Sequence, residues 1–348
     1  METKTIPPKN APIFLPYHLS PEQKELSDKL VSNFQRGINS LVYAVTGTGK
    51  TEITLKIIRF CVENGLKVGF AIPRKEVATE LYNRFKTIFK KNKTTLVCGG
   101  HHDYLEGDLV VLTTHQLFRY NKYFDLLIVD ELDAFPYKGN KTLEAILNRS
   151  IKGYKVFMSA TPSQEEIDEF KRSGGDVLTL FQRFHKHYLP VPKIIIKKSF
   201  LLIVELIKIV GQFFKEDKPL FVFAPTINEC ERIFKILNRL FKAGSYVHSK
   251  RPNNLETINK FKRGEYKYLV TTAVLERGVT VSNLQVVIYK ADHRIYDSAA
   301  LIQISGRVGR KKDAPEGEVI FLANTITEAM EDAIETINES NTNLQNMF

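Results

Sequence analysis

Ala44-Val-Thr-Gly-Thr-Gly-Lys-Thr51 lies where a β-branched run gives way to a helical pattern, and its residue types suit a bound phosphate. Gly47 and Gly49, interleaved with Thr46 and Thr48, let backbone N–H groups curl around phosphate oxygens. The N-terminus of the following helix adds partial positive charge. Lys50 has the length to reach β- and γ-phosphates, and the Thr51 hydroxyl suits Mg²⁺. Ala44 stands where the phosphate-loop pattern has its first glycine. The bland alternative is a glycine-bearing turn that ends in Lys-Thr by chance.

A phosphate loop needs a metal-binding acid, and Leu126-Leu-Ile-Val-Asp-Glu-Leu-Asp133 supplies carboxylates at the end of an apolar run. Asp130 at the strand's C-terminal edge suits Mg²⁺, directly or through water. Glu131 beside it suits the orientation or deprotonation of an attacking water. Carboxylates ending a buried strand are costly without a cation, which favours this chemistry over an exposed acidic turn.

Gln303-Ile-Ser-Gly-Arg-Val-Gly-Arg310 carries two arginines three apart. Read as a short helix, it puts Arg307 and Arg310 on one face, aimed at one target. A γ-phosphate leaving ADP is such a target, and a basic helix for nucleic acid or solvent is the alternative. Thr271-Thr-Ala-Val-Leu-Glu-Arg-Gly-Val-Thr280 combines hydroxyls, a carboxylate, an arginine and Gly278, and would mean little alone.

These segments need strands that end together. Short β-branched runs alternate with helical patterns, as in a parallel sheet flanked by helices. The first half offers strands at 40–45, 67–72, 108–113, 126–129 and 155–158, with helical patterns such as 50–64 and 75–90. The second offers strands at 219–223, 246–247, 268–271, 286–289 and 318–322. Pro190 and Pro192 mark an extended connection between the halves.

The chain has 348 residues, long enough for two cores. Its net charge is +11, unevenly placed: residues 191–312 hold 23 basic and 10 acidic groups, whereas 313–348 hold eight acids and no Lys or Arg. Such an excess suits a polyanionic partner or a merely solvated face. Cys61, Cys98 and Cys230 are widely spaced, against a disulfide framework or a zinc knuckle. No signal pattern opens the chain. The most apolar stretch, 199–214, contains Glu205 and Lys208 and falls short of the ~20 residues of a bilayer span. It reads as a buried amphipathic helix, with a membrane-surface role as the alternative. The basic run from Arg84 to Lys93 reads as a solvated helix end, with a grip on a nucleic-acid backbone as the alternative.

Taken together, the segments resemble superfamily 2 helicases and translocases. Gly47–Thr51, Pro73-Arg74, Asp130–Asp133, Ser159-Ala-Thr-Pro162, Phe221–Thr226, Thr271–Thr280 and Gln303–Arg310 look like their motifs I, Ia, II, III, IV, V and VI, in order. Within that superfamily, Thr113–Arg119, Phe124–Tyr137, Arg183–Pro192 and Leu275–Thr280 resemble the ComFA family of late-competence ATPases. The Asp-Ala-Phe-Pro-Tyr extension, 133–137, is the most distinctive piece.

The resemblance implies an α/β fold of two tandem RecA-like lobes with parallel sheets and a nucleotide site in the cleft between them. Its expected parts are an N-terminal extension (1–19), lobe 1 (20–181), a linker (182–196), lobe 2 (197–325) and an acidic C-terminal helix or tail (326–348). It implies ATP and Mg²⁺, with Gln303, Arg307 and Arg310 joining Lys50, Asp130 and Glu131 in catalysis, and Gly278 near the nucleotide. Gln23 is then a candidate adenine reader, although a surface helix residue is nearly as good a reading. By superfamily position the strand contacts are Pro73, Arg74, Thr113, Thr114, His115, Thr226, Thr271 and Thr272, short groups suited to phosphates. His115 reads equally well as a structural hydrogen-bond partner.

The implied work is ATP-driven handling of incoming single-stranded DNA at the cytoplasmic face of the membrane, with ComFC, DprA and the ComEC channel as family partners. A four-cysteine zinc module usually precedes the family's helicase lobes. No paired cysteines occur here, so no zinc is expected in this chain. A different superfamily 2 helicase acting on RNA or in replication restart, a decayed binding module and an ATP-switched scaffold stay open as alternatives.

Overall fold

The computed structural model describes residues 19–44, 48–100, 104–131, 141–160, 162–180, 188–272, 281–310 and 313–345. The chain divides into two compact units, residues 1–184 and 185–348.

In the first unit, Ser20 caps helix α1 (Pro21–Arg36). Its hydroxyl accepts from the Gln23 N–H while the Gln23 side chain returns the bond, and Gly37 closes the helix in the left-handed region. There follow β1 (Ser40–Ala44), α2 (Lys50–Glu63), β2 (Val68–Ile72), α3 (Lys75–Ile88), β3 (Thr94–Val97), β4 (Leu109–Thr113), β5 (Phe124–Asp130), α4 (Lys141–Ser150), β6 (Ile151–Ser159), α5 (Gln164–Arg172) and β7 (Asp176–Leu180). The sheet order is β3-β4-β2-β5-β6-β1-β7. The pairings among the described strands are parallel, so the strands' C-terminal ends share one edge.

The central strands read as continuous apolar runs because both faces are covered. One core, with Ile53, Ile57, Phe70 and Phe85, lies under α1, α2 and α3. The other, with Val110, Leu127, Leu143 and Leu147, lies under α4 and a 3₁₀ turn at Thr114–Arg119.

The second unit runs β8 (Lys193–Ile196), α6 (Ser199–Lys215), β9 (Leu220–Phe223), α7 (Ile227–Leu240), β10 (Gly244–Val247), α8 (Asn254–Lys262), β11 (Tyr268–Thr271), β12 (Gln285–Tyr289), α9 (Ser298–Ser305), β13 (Val319–Ala323) and α10 (Glu328–Gln345). Its parallel sheet has the order β10-β11-β9-β12-β13-β8. Helix α6 buries Leu202, Leu206, Ile209 and Phe213, as the amphipathic reading of 199–214 expects. No described helix is long and apolar enough to cross a membrane.

Three strands have no counterpart among the sequence expectations: β3, β7 and β8, the last placed instead in the linker. All three are sheet edges. Their side chains are only partly covered, so the apolar run that betrays a central strand is broken. Acidic α10 is no loose tail. It packs on α9, burying Met330, Ala333 and Ile337, and the Asn341 amide bonds both the N–H (2.8 Å) and the carbonyl (2.9 Å) of Leu189.

Candidate functional site

Strand β1 delivers the chain to the phosphate loop, and α2 leaves it with Lys50 and Thr51 as its first two residues. Gly49 caps α2 at φ 82°, a left-handed conformation that favours glycine. A side chain there has no room, since a Cβ would lie 2.6 Å from Gln23 Nε2. That amide donates to the Thr48 carbonyl at 2.6 Å, and its Oε1 accepts from the Ser20 N–H at 2.9 Å. Gln23 is buried and engaged at both ends of its amide. Helix α1 is further tied to α2 by the Ser27 hydroxyl donating to the Ile53 carbonyl, 2.8 Å. Thr46 and Gly47 lie outside the described residues.

Asp130 ends β5, buried, and its Oδ1 accepts the Glu131 N–H at 2.9 Å. Glu131 takes φ 61°, an uncommon conformation for a residue with a side chain and one found at functional turns. β6 lies between β5 and β1, with Met158 paired to Asp130 and Ser159 to Tyr43. The phosphate loop and the acids thus leave the same sheet edge two strand spacings apart, about 10 Å.

One carboxylate and one hydroxyl, Asp130 and Thr51, fit a Mg²⁺ that keeps waters and takes phosphate oxygens. Among the described residues no group of three His, Cys, Asp or Glu side chains is disposed to hold a metal. The three cysteines are free and buried, and burial pushes the Cys230 thiol up to about 12, which disfavours the thiolate a metal would need.

The second unit corrects one expectation. Arg307 and Arg310 are not on a helix. α9 ends at Ser305, Gly306 caps it, and the arginines sit in the turns beyond. Glycines at 306 and 309 end the helical repeat, and Gly309 takes φ 67°. Gln303 stays on α9 and is buried, as is Arg307. Arg310 is half-buried and folds back, its Nε donating to the Gly306 carbonyl at 2.9 Å.

The candidate strand contacts also come to sheet edges. Ile72 pairs with Thr113, so Pro73-Arg74 and Thr114-His115 leave neighbouring strands. Phe223 pairs with Thr271, which brings the chain before Thr226 next to Thr272. Burial sorts the set. Thr114 and Thr271 are fully covered and Thr113 nearly so, and the Thr271 hydroxyl donates to the Thr272 carbonyl at 2.9 Å. These three shape the edge rather than offer a surface. His115 and Thr226 are exposed, and Pro73, Arg74 and Thr272 half-buried. The Thr226 hydroxyl caps α7 by accepting the Glu229 N–H, 3.2 Å. Gly278, Arg277 and the 133–137 extension lie outside the described residues.

Comparison with known proteins places this geometry. Residues 16–164 match the family model of the type III restriction enzyme res subunit, and residues 202–312 that of the helicase conserved C-terminal domain. Competence protein ComFA of Streptococcus pneumoniae is 37% identical over 93% of this chain and 77% of its own length, and ComFA of Bacillus subtilis 32% identical over 93% and 72%. The chain belongs to the ComFA family. As a ComFA member it carries both domains of a superfamily 2 helicase. Yeast Dbp5 bound to RNA and ADP BeF3 shares the fold, with a TM-score of 0.68 at 17% identity over 92% of this chain and 91% of that one.

Two features of this ComFA chain escaped sequence reasoning. Gly99 and Gly100 follow edge strand β3, exposed, beside the β4 end that carries Thr114 and His115. The glycine doublet after Thr94-Thr-Leu-Val-Cys98 was the available signal. The second is Arg84, read as part of a solvated helix end, whose Nη2 instead donates to Glu52 Oε1 at 2.7 Å.

Proposed function

We propose that the chain is an ATP-driven motor that moves single-stranded DNA during uptake in natural transformation. One observation carries the ATPase half of this reading: the parallel sheet brings Lys50 and Thr51 to the same edge as Asp130 and Glu131, with one strand between. A triphosphate and its metal fill such a gap. Membership of the ComFA family supports the DNA-uptake half.

Lys50 and the N-terminus of α2 hold the β- and γ-phosphates; Thr51 and Asp130 would hold Mg²⁺, which would supply charge neutralisation at the transferring phosphoryl group. Glu131 accepts a proton from water as the water oxygen bonds the γ-phosphorus and the bond to ADP breaks. Arg307 and Arg310, brought up when the lobes close on ATP, stabilise charge on the departing phosphoryl group. Closing and reopening alternate the grip on a strand held at Arg74, His115, Gly99-Gly100, Thr226 and Thr272. The same reading puts the motor at the cytoplasmic face of the membrane, with ComFC, DprA and ComEC as its partners.

The test is ATP hydrolysis with and without single-stranded DNA, duplex DNA and RNA, in wild type, Lys50→Ala and Glu131→Gln. Stimulation by single-stranded DNA, abolished by either substitution, is expected. Hydrolysis surviving Lys50→Ala would sink the site, and stimulation by RNA alone would overturn the DNA role. Directional movement along a labelled strand separates a motor from an ATP-switched scaffold.

A further inference from the structure

Helix α3 begins beside one candidate site and touches the other partway along. Its N-cap, Arg74, follows the C-terminal end of β2 among the candidate strand contacts. Arg84 lies ten residues on, about 15 Å along the axis. Its guanidinium meets the Glu52 carboxylate at 2.7 Å. Glu52 follows Thr51 directly, in the first turn of α2.

Between these ends α3 is held firmly. Ala78, Leu81 and Phe85 are buried, and the Phe85 ring meets Phe70 of β2 edge-on, centroids 5.4 Å apart. A helix so packed moves as one piece, and a displacement at Arg74 reaches Arg84.

Glu52 is poorly placed for a nucleotide site unless its charge is balanced. A Cβ on Gly49 would lie 3.2 Å from Glu52 Oε2, so the carboxylate rests against the last residue of the phosphate loop. A bare negative charge there opposes the attraction of the α2 N-terminus for a triphosphate. Arg84 supplies the compensating charge. The pair is part-exposed, with side chains 32% and 14% accessible, and such pairs add little to stability. Both helices already pack into one core through Ile53 and Ile57 of α2 and Leu81 and Phe85 of α3, so holding them together does not require it.

We infer that the Arg84–Glu52 pair is a positioning contact that relays strand binding at Arg74 to the phosphate loop and makes ATP turnover respond to DNA. The inference rests on the motor reading above. Neither residue touches the reacting atoms, and the pair acts through the loop that does.

The experiment compares ATPase activity with and without saturating oligo-dT in wild type, Arg84→Gln, Arg84→Glu, Glu52→Arg and the charge-swapped double Arg84→Glu/Glu52→Arg, with melting temperatures and oligo-dT affinities alongside. Each single variant is expected to lose at least about fivefold in its DNA-stimulated to basal ratio, and the two Arg84 variants, which leave Glu52 unbalanced, to raise KM for ATP. The swapped pair is expected to return both to within about twofold of wild type, a recovery that lost packing alone would not give. An Arg84→Gln ratio equal to that of a DNA-stimulated wild type overturns the relay. So does a swap that melts like wild type without recovery, or a defect that saturating oligo-dT removes, which would make Arg84 a strand contact. A wild type indifferent to every nucleic acid overturns the motor reading itself, and the relay with it.

Discussion

The side-chain amide of Gln23 spans two structures: its Nε2 donates to the Thr48 carbonyl across 2.6 Å, and its Oε1 accepts the Ser20 N–H at 2.9 Å. Gln23, a candidate adenine reader by resemblance, joins the cap of α1 to the phosphate loop. Gln23→Ala is expected to raise KM for ATP and GTP alike, roughly three- to tenfold, as a lost buried hydrogen bond of about 1 kcal/mol implies. A loss confined to ATP, in parallel steady-state assays, would put the amide on the base.

The same amide excludes a side chain from Gly49. Gly49→Ala combines a left-handed backbone with a Cβ 2.6 Å from Gln23 Nε2, so it should cost about 1–2 kcal/mol locally. Titration with a fluorescent ATP analogue is expected to show affinity down by at least about tenfold, with far-ultraviolet circular dichroism unchanged.

Arg307 is buried in a turn that Gly306 and Gly309 shape, and a lysine cannot reproduce its planar fork. Arg307→Lys and Arg307→Ala should both lower DNA-stimulated turnover by roughly 10³-fold or more while nucleotide affinity changes little. Single-turnover measurements separate the two effects.

Arg74 is half-buried at the start of α3 and reads as a phosphate contact. Its substitution by alanine should weaken binding to single-stranded DNA evenly across sequences. The slope of log affinity against log salt should become shallower by about one contact. An affinity insensitive to salt would mean that the +11 net charge serves no strand track.

Asn341 closes two hydrogen bonds on the Leu189 backbone from the acidic helix α10. Asn341→Ala leaves both backbone groups without them and should lower unfolding stability by about 1–3 kcal/mol. Asn341→Asp keeps the acceptor for the Leu189 N–H but turns a carboxylate oxygen against the Leu189 carbonyl, and should cost at least as much. Urea midpoints of the two variants check the order.

The candidate chemistry of this chain is legible in its sequence because it is local. A phosphate loop is one contiguous segment, an acid pair ends one apolar run, and central strands covered on both faces announce themselves by unbroken hydrophobicity. Three of the edge strands do not: β3, β7 and β8 are half-exposed, and their composition passes for loop. Nor does local pattern show that α9 stops at Ser305 and leaves Arg307 and Arg310 off the helix, or that Thr114 and Thr271 are buried while His115 and Thr226 face outward. The contacts that brace the phosphate loop are the clearest case. Gln23 reaches Thr48 across 25 residues and Arg84 reaches Glu52 across 32. Nothing near either residue in sequence marks its partner, because each pairing exists only once α1 and α3 have packed beside α2. Sequence determined which groups could bind and cleave a triphosphate; packing decided which side chains support them.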